Sequence, residues 1–289
     1  MKKVLTILFS TLMLFSSVAV AQDWGKIVSS TVGGIQQLAE ASKDITPSEE
    51  HYIGRAVAAM ILSKYPLSDN AALTNYVNKV GLLLANASDR PVTYGGYHFA
   101  VIKSDMPNAY ACPGGIILIS DALLRELANE DQLAAVLSHE VAHVAHRHGI
   151  NAIKKSRWTK FGFYAAGEVG KQYTSEQTGQ LAQEFQNVVM DVAKKVMESG
   201  YSKSDEKDAD SSGMKFAAAA GYNPLEMIGF MRMQAEKNVG HVGGPFSSHP
   251  EPKSRISILD EVVSSLSPLS DTNNSRTARF KQHTSALHQ

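Results

Sequence analysis

His139-Glu140-Val141-Ala142-His143 groups the residue types best able to do chemistry. On a helix, side chains four apart leave one face, so two imidazoles can close on one divalent ion at roughly 2.0–2.1 Å per bond. Glu140 stands about 100° around the axis from His139, where it can face the ion without binding it. Its carboxylate is then available as a base toward a metal-activated water, and the spacing predicts a hydrolytic site with zinc as cofactor, one ion per chain. His146 lies three residues beyond His143 and could share its face, whereas His148 falls off that stripe; both are read as helix-end, hydrogen-bonding residues. A metzincin needs a third histidine ten positions after the first, and position 149 is glycine, so a third ligand has to come from elsewhere.

Downstream, Glu206-Lys207-Asp208-Ala209-Asp210 puts Glu206 and Asp210 on one helix face. One carboxylate there can ligate, and the other can orient a ligand imidazole through its second ring nitrogen. Cys112 is the only cysteine, which excludes an internal disulfide; with no histidine nearby in sequence, it is read as a small packed side chain rather than a nucleophile.

Helices have to position these groups. Ile53, Val57, Met60 and Ile61 mark one helix face from Ser48 to Lys64, which Pro66 ends. A second helix after Ser68-Asp69 runs to about Ala87 with Leu73, Tyr76, Val77, Val80 and Leu84 on its buried stripe. Tyr97 to Ile102 and Ile116 to Ser120 read as strands of a small sheet, the second introduced by Gly114-Gly115. Ser120 caps a short helix, and Asn129 with Gln132 opens the long one that carries the histidine pair to His148, with Gly149 expected as its left-handed terminator. Residues 150–199 read as a helical excursion over the active face, aromatic at Trp158, Phe161, Phe163 and Tyr164, with a clearer helix from about Thr178 to Met197. Further helices are expected from about Ser204 to Ala220, from Asn223-Pro224 to near Lys237, and from Lys253 to Leu266. Residues 267–289 are polar and aperiodic, and a mobile tail is expected there.

Lys+Arg and Asp+Glu both number 28, so no basic excess exists to hold a polyanion and nucleic acid is not an expected partner. Lys2 and Lys3, the apolar run from Val4 to Val18 and Ala19-Val20-Ala21 form a signal-peptide pattern with cleavage after Ala21 and export to the periplasm. A linker over 22–47 then leads into one catalytic domain over 48–266. With no cysteine near that cleavage site, soluble export is expected rather than lipid anchoring.

Taken together, several motifs resemble the M48 peptidases, in the exported bacterial branch allied to the Ste24 and HtpX proteases. They are Asn108-Ala109-Tyr110 followed by Pro113-Gly114-Gly115, His139 to His148, Glu206-x-x-Ala209-Asp210 with Gly213, Ala220-Gly221-Tyr222-Asn223-Pro224, and His249-Pro250 with Arg255. The resemblance spans about Ser48 to Leu259. It implies an α+β, mainly helical, zincin-like (gluzincin) domain with a small sheet, Glu206 as the third zinc ligand, and Asp210 supporting a ligand. It further implies that Gly114, Gly115, Ile116, Ile117, Leu118 and Ile119 recognise an extended substrate by strand addition, that His249 stabilises the oxyanion or latches the site, and that Arg255 lies near it. The expected activity is a zinc endopeptidase acting on unfolded or misassembled envelope proteins, in protein quality control. A periplasmic chaperone or assembly factor with a latched or structural zinc is the alternative, and the aromatic excursion is compatible with peripheral membrane contact.

Overall fold

The computed structural model describes residues 45–151, 153, 175–237, 255–256, 259, 262–263 and 273–288. The signal-peptide expectation, most of the linker, the aromatic stretch Trp158 to Tyr164 and His249 lie outside the described residues.

Helix α1 (Pro47–Lys64) begins at a capping box in which the Thr46 hydroxyl accepts from the Glu49 backbone N–H while the Glu49 side chain accepts from the Thr46 N–H. Helix α2 (Ala71–Asn86), capped by Asn70, buries Leu73, Tyr76, Val77, Val80 and Leu84, the stripe read from the sequence. Strands β1 (His98–Ile102), β2 (Ala109–Cys112) and β3 (Ile116–Ser120) form a sheet in the order β1-β3-β2, with β3 parallel to β1 and antiparallel to β2. β2 escaped the sequence reading because its four residues are all buried, which leaves no polar alternation to see. Its side chains nevertheless alternate between two cores. Ala109 and Ala111 join Ile117 and Ile119 on the side of α2, whereas Tyr110 and Cys112 join Leu118 on the side of α1.

The sheet order corrects one expectation. Ile116 to Ile119 lie in the central strand, paired with β1 on one edge and β2 on the other, so their main-chain groups are already used and cannot add a substrate strand.

After α3 (Asp121–Glu126) comes α4 (Glu130–Ala145), whose cap Asn129 accepts from the Gln132 backbone N–H. Every residue from Glu130 to Val144 is buried, so α4 is the axis of the domain. It stops earlier than expected. His146 is its C-cap and Arg147 is the residue in the left-handed conformation, at φ 59°, while Gly149 falls inside the short helix α5 (His148–Asn151). The reason is tertiary: the Arg147 guanidinium donates to Glu50 at 3.0 Å and to the Ile45 carbonyl at 2.6 Å, offsetting the strain. Helix α6 (Ser175–Lys194) runs into a π turn (Lys195–Ser199) and packs Phe185, Val188 and Val192 beside Ile53, Val57 and Ile61 of α1. Helices α7 (Lys203–Ala219) and α8 (Leu225–Lys237) follow, and Arg255, Ile256, Leu259, Val262 and Val263 are helical.

The polar C-terminal stretch departs from the mobile-tail expectation, because α9 (Asn273–Thr284) is docked. Phe280 sits in the main core at 2% exposure, Arg276 pairs with Asp131 at 2.7 Å, and Arg279 forks onto Glu130. Composition hid this because one aromatic and two arginines do the docking in an otherwise polar helix. Their partners are buried carboxylates at the start of α4, which need counter-charge.

Burial raises the Glu130 carboxyl pKa, but hydrogen bonds from Arg279, Tyr76 and Tyr222 and the Arg279 charge outweigh it, leaving a net lowering. That contribution to stability is full above the unfolded carboxylate range and is lost as pH falls through the lower folded value. Arg279→Ala should cost about 1–2 kcal/mol in urea unfolding at pH 7, Arg279 being half exposed and both tyrosines remaining. The gap should narrow below about pH 4. An equal midpoint for the two proteins at pH 7 would contradict the docking account.

Candidate active site

Helix α7 lies against α4 closely enough that a Cβ on Gly213 would stand 3.0 Å from the His139 backbone nitrogen and 3.1 Å from its Cα. Glu206, Asp210 and Gly213, at four- and three-residue spacing, share one face of α7, so the contact that needs glycine also turns both carboxylates toward α4.

The His139 and His143 Nε2 atoms are 3.0 Å apart, and the Glu206 oxygens stand 3.6 Å from the former and 3.7 Å from the latter. Four ligands held tetrahedrally at roughly 2.0–2.1 Å are separated by about 3.3 Å, so the spacing fits a zinc-sized ion. All three residues are buried, which suits a closed, preorganised donor set. On the far side of His139, Nδ1 lies 2.9 Å from Asp210 and donates to it, which directs Nε2 to the common point. Arg255 donates to both Asp210 oxygens, at 2.8 and 2.5 Å, and its guanidinium is 3.9 Å from Glu206. Burial alone would raise the Asp210 carboxyl pKa; the Arg255 charge and the hydrogen bonds from Arg255 and His139 hold it well below the usual carboxylate range.

Glu140 is buried beside this set. Burial pushes its carboxyl up to about 7, a rise that His139 and Arg255 oppose and Glu206 assists, and it receives a hydrogen bond from the Ala111 backbone. The sheet edge on this side is therefore β2. Gly114 and Gly115 form the β2–β3 turn, where Gly114 at φ 76° donates its N–H to Glu50. The structure thus brings together His139, Glu140, His143, Glu206, Asp210 and Arg255, and it sets the residues from Gly114 to Ile119 into a turn and a central strand.

Two contributors were missed in the sequence. Glu50, fully buried, accepts from Arg90 at 2.9 and 3.1 Å, from Arg147 and from Gly114, tying α1, the β2–β3 turn and the end of α4 together. Its signal was its register: three residues before Ile53, it lies on the buried stripe of α1. Tyr201 stacks on the His143 ring at a centroid distance of 4.1 Å, and burial raises its phenol well above the ordinary range. His148 makes the hydrogen bond expected of it, but to His143 itself, Nδ1 to Nδ1 at 2.9 Å.

A helix-borne HExxH with a carboxylate from a second helix defines the zincin class of metallopeptidase folds. The profile of Peptidase family M48 matches residues 71–263, and the chain belongs to that family. It is 26% identical over 239 residues to the Beta-barrel assembly-enhancing protease of Escherichia coli (strain K12), covering 79% of this chain and 47% of that one. The Yersinia pestis protein of the same name is 27% identical over 242 residues, covering 79% of this chain and 46% of its own. The Mitochondrial metalloendopeptidase OMA1 of Schizosaccharomyces pombe is 30% identical over 164 residues, or 56% of this chain and 45% of its own. The chain thus spans about half the length of these relatives.

Asp210→Asn removes the acceptor charge behind His139 and should weaken zinc affinity by about 10–100-fold in competition with a chromophoric chelator. Undiminished affinity would show that Asp210 does not orient the ring.

Proposed function

We propose that this protein is a zinc endopeptidase of the bacterial periplasm that hydrolyses unfolded or misassembled envelope polypeptides. The observation that carries the reading is the buried convergence of His139, His143 and Glu206 with the Glu140 carboxylate beside them. Names of relatives support the substrate class, since two of them are called Beta-barrel assembly-enhancing protease. The N-terminal charged, apolar and small-residue pattern supports export with cleavage after Ala21. Among the described residues no helix is long and apolar enough to cross a membrane.

His139, His143 and Glu206 would hold the ion, with Asp210 and Arg255 fixing the His139 ring. When bound, zinc supplies a Lewis acid that polarises the scissile carbonyl and makes water acidic enough to attack near neutral pH. Glu140 takes a proton from the attacking water and delivers it to the leaving amine. A carboxyl raised by burial toward neutrality is matched to both halves of that transfer. Because β2 is the sheet edge on the Glu140 side, it is the strand able to offer main-chain groups to an extended substrate. The His249-Pro250 motif supports a role for His249 in meeting the oxyanion or latching the site. Cys112 takes no part as a nucleophile: burial, with the nearby Glu140 charge, pushes its thiol pKa far up and keeps it protonated.

Glu140→Gln should bind zinc at His139, His143 and Glu206 as tightly as the parent yet digest unfolded casein at least about 100-fold more slowly, the loss expected of a missing acid–base group. Chelator should abolish parent activity and zinc restore it. Digestion by the variant at the parent rate would remove Glu140 from the mechanism. Zinc-loaded parent that suppresses aggregation without cutting would favour a chaperone.

A further inference from the structure

A second set of metal-ligating side chains lies back to back with the first. His146 caps the C-terminus of α4, His148 opens α5, and Asp208 stands on α7 two residues beyond Glu206. Asp208 Oδ2 is 2.5 Å from His146 Nδ1 and 3.3 Å from His148 Nε2, and the three ligand atoms all lie within 4.8 Å of one another. Two imidazoles with one carboxylate suit zinc and its transition-series neighbours, whereas calcium and magnesium take oxygen.

This set has more organisation than a surface ion pair. His148 is 5% exposed, with its other nitrogen against His143. The other nitrogen of His146 faces Asp89 at 3.4 Å, the kind of outer carboxylate that fixes a metal-bound imidazole. Asp208 is half exposed, which leaves a side open to an arriving ion and its remaining waters. The backbones of α4 and α7 already pack closely at Gly213 and His139, so little further ordering is needed.

We propose that His146, His148 and Asp208 form a second divalent-metal site, for Zn²⁺ foremost, and that filling it weakens the hold on the inner ion. The coupling runs through one hydrogen bond. His143 Nδ1 and His148 Nδ1 are 2.9 Å apart, and only one of them can carry the shared proton. An inner ion on His143 Nε2 leaves the hydrogen on His143 Nδ1, so His148 accepts there and carries its own hydrogen on Nε2, toward Asp208. An ion on His148 Nε2 displaces that proton to solvent, and His148 takes one up at Nδ1, so the ring stays neutral but two N–H groups now face each other. A hydrogen bond that helps orient His143 is lost. Loss of such a ring partner weakens metal binding on the order of 10–100-fold, and by linkage each ion opposes the other by the same factor. The coupling rests on the inner site being the zinc site of the proposed peptidase; the outer site does not.

The test loads the full chain with one equivalent of isotopically labelled zinc and titrates it with natural zinc, following uptake by calorimetry and label loss by native mass spectrometry. The parent should bind a second equivalent, and His146→Ala and Asp208→Asn should each keep the first and lose the second. Once the second ion binds, label should leave the parent on the order of 10-fold faster, with casein digestion falling in step. A parent that takes up only one equivalent, retention of the second by both variants, or a label-exchange rate indifferent to it would each overturn the proposal. If singly loaded parent cleaves nothing, the peptidase reading fails alone, because uptake and exchange need no turnover.

Discussion

Where α7 crosses α4, the absence of a side chain at Gly213 lets one helix backbone rest on the other at the level of His139. That contact decides whether two histidines on one helix acquire a carboxylate from another. The rest of the domain reads as support for it. At the start of α4, the buried carboxylates of Glu130 and Asp131 are held by Arg279 and Arg276 of α9. At its end, Glu50 and Arg147 fix where the chain leaves the helix. Between them, Arg255 and Asp210 set the His139 ring from behind. Each of these charges would be expensive to bury alone, and each has its partner.

The same arrangement explains why the site can be both acidic and basic in character. Asp210 stays ionised because a guanidinium is bonded to it, whereas burial raises Glu140 toward neutrality. Two carboxyls on neighbouring helices thus acquire opposite tendencies from their surroundings, one suited to holding a ring still and the other to moving a proton. Tyr201 adds an apolar face over His143, so that ring is enclosed by stacking on one side and hydrogen bonding at its edge.

Much of this was legible in the residues. Features set by local spacing survived: the histidine pair with its glutamate, Glu206 and Asp210 one turn apart, the stripes of α1 and α2, and the caps Ser120 and Asn129. What was not legible depends on partners distant in sequence. Gly149 looked like the terminator of α4, yet Arg147 takes the left-handed conformation because Glu50 and the Ile45 carbonyl hold its guanidinium. Ile116 to Ile119 looked like a strand open to substrate, but β2, too buried to alternate, covers one of its edges. The C-terminal helix looked unstructured because its docking rests on Phe280 and two arginines whose partners lie in α4.

Anomalous diffraction at the zinc edge, from crystals of the full chain loaded with one equivalent, tests the central claim most directly. A single peak is expected at roughly 2.0–2.2 Å from His139 Nε2, His143 Nε2 and a Glu206 oxygen, with solvent in the remaining position. A peak elsewhere in the chain, or a fourth position filled by a protein atom, would contradict it.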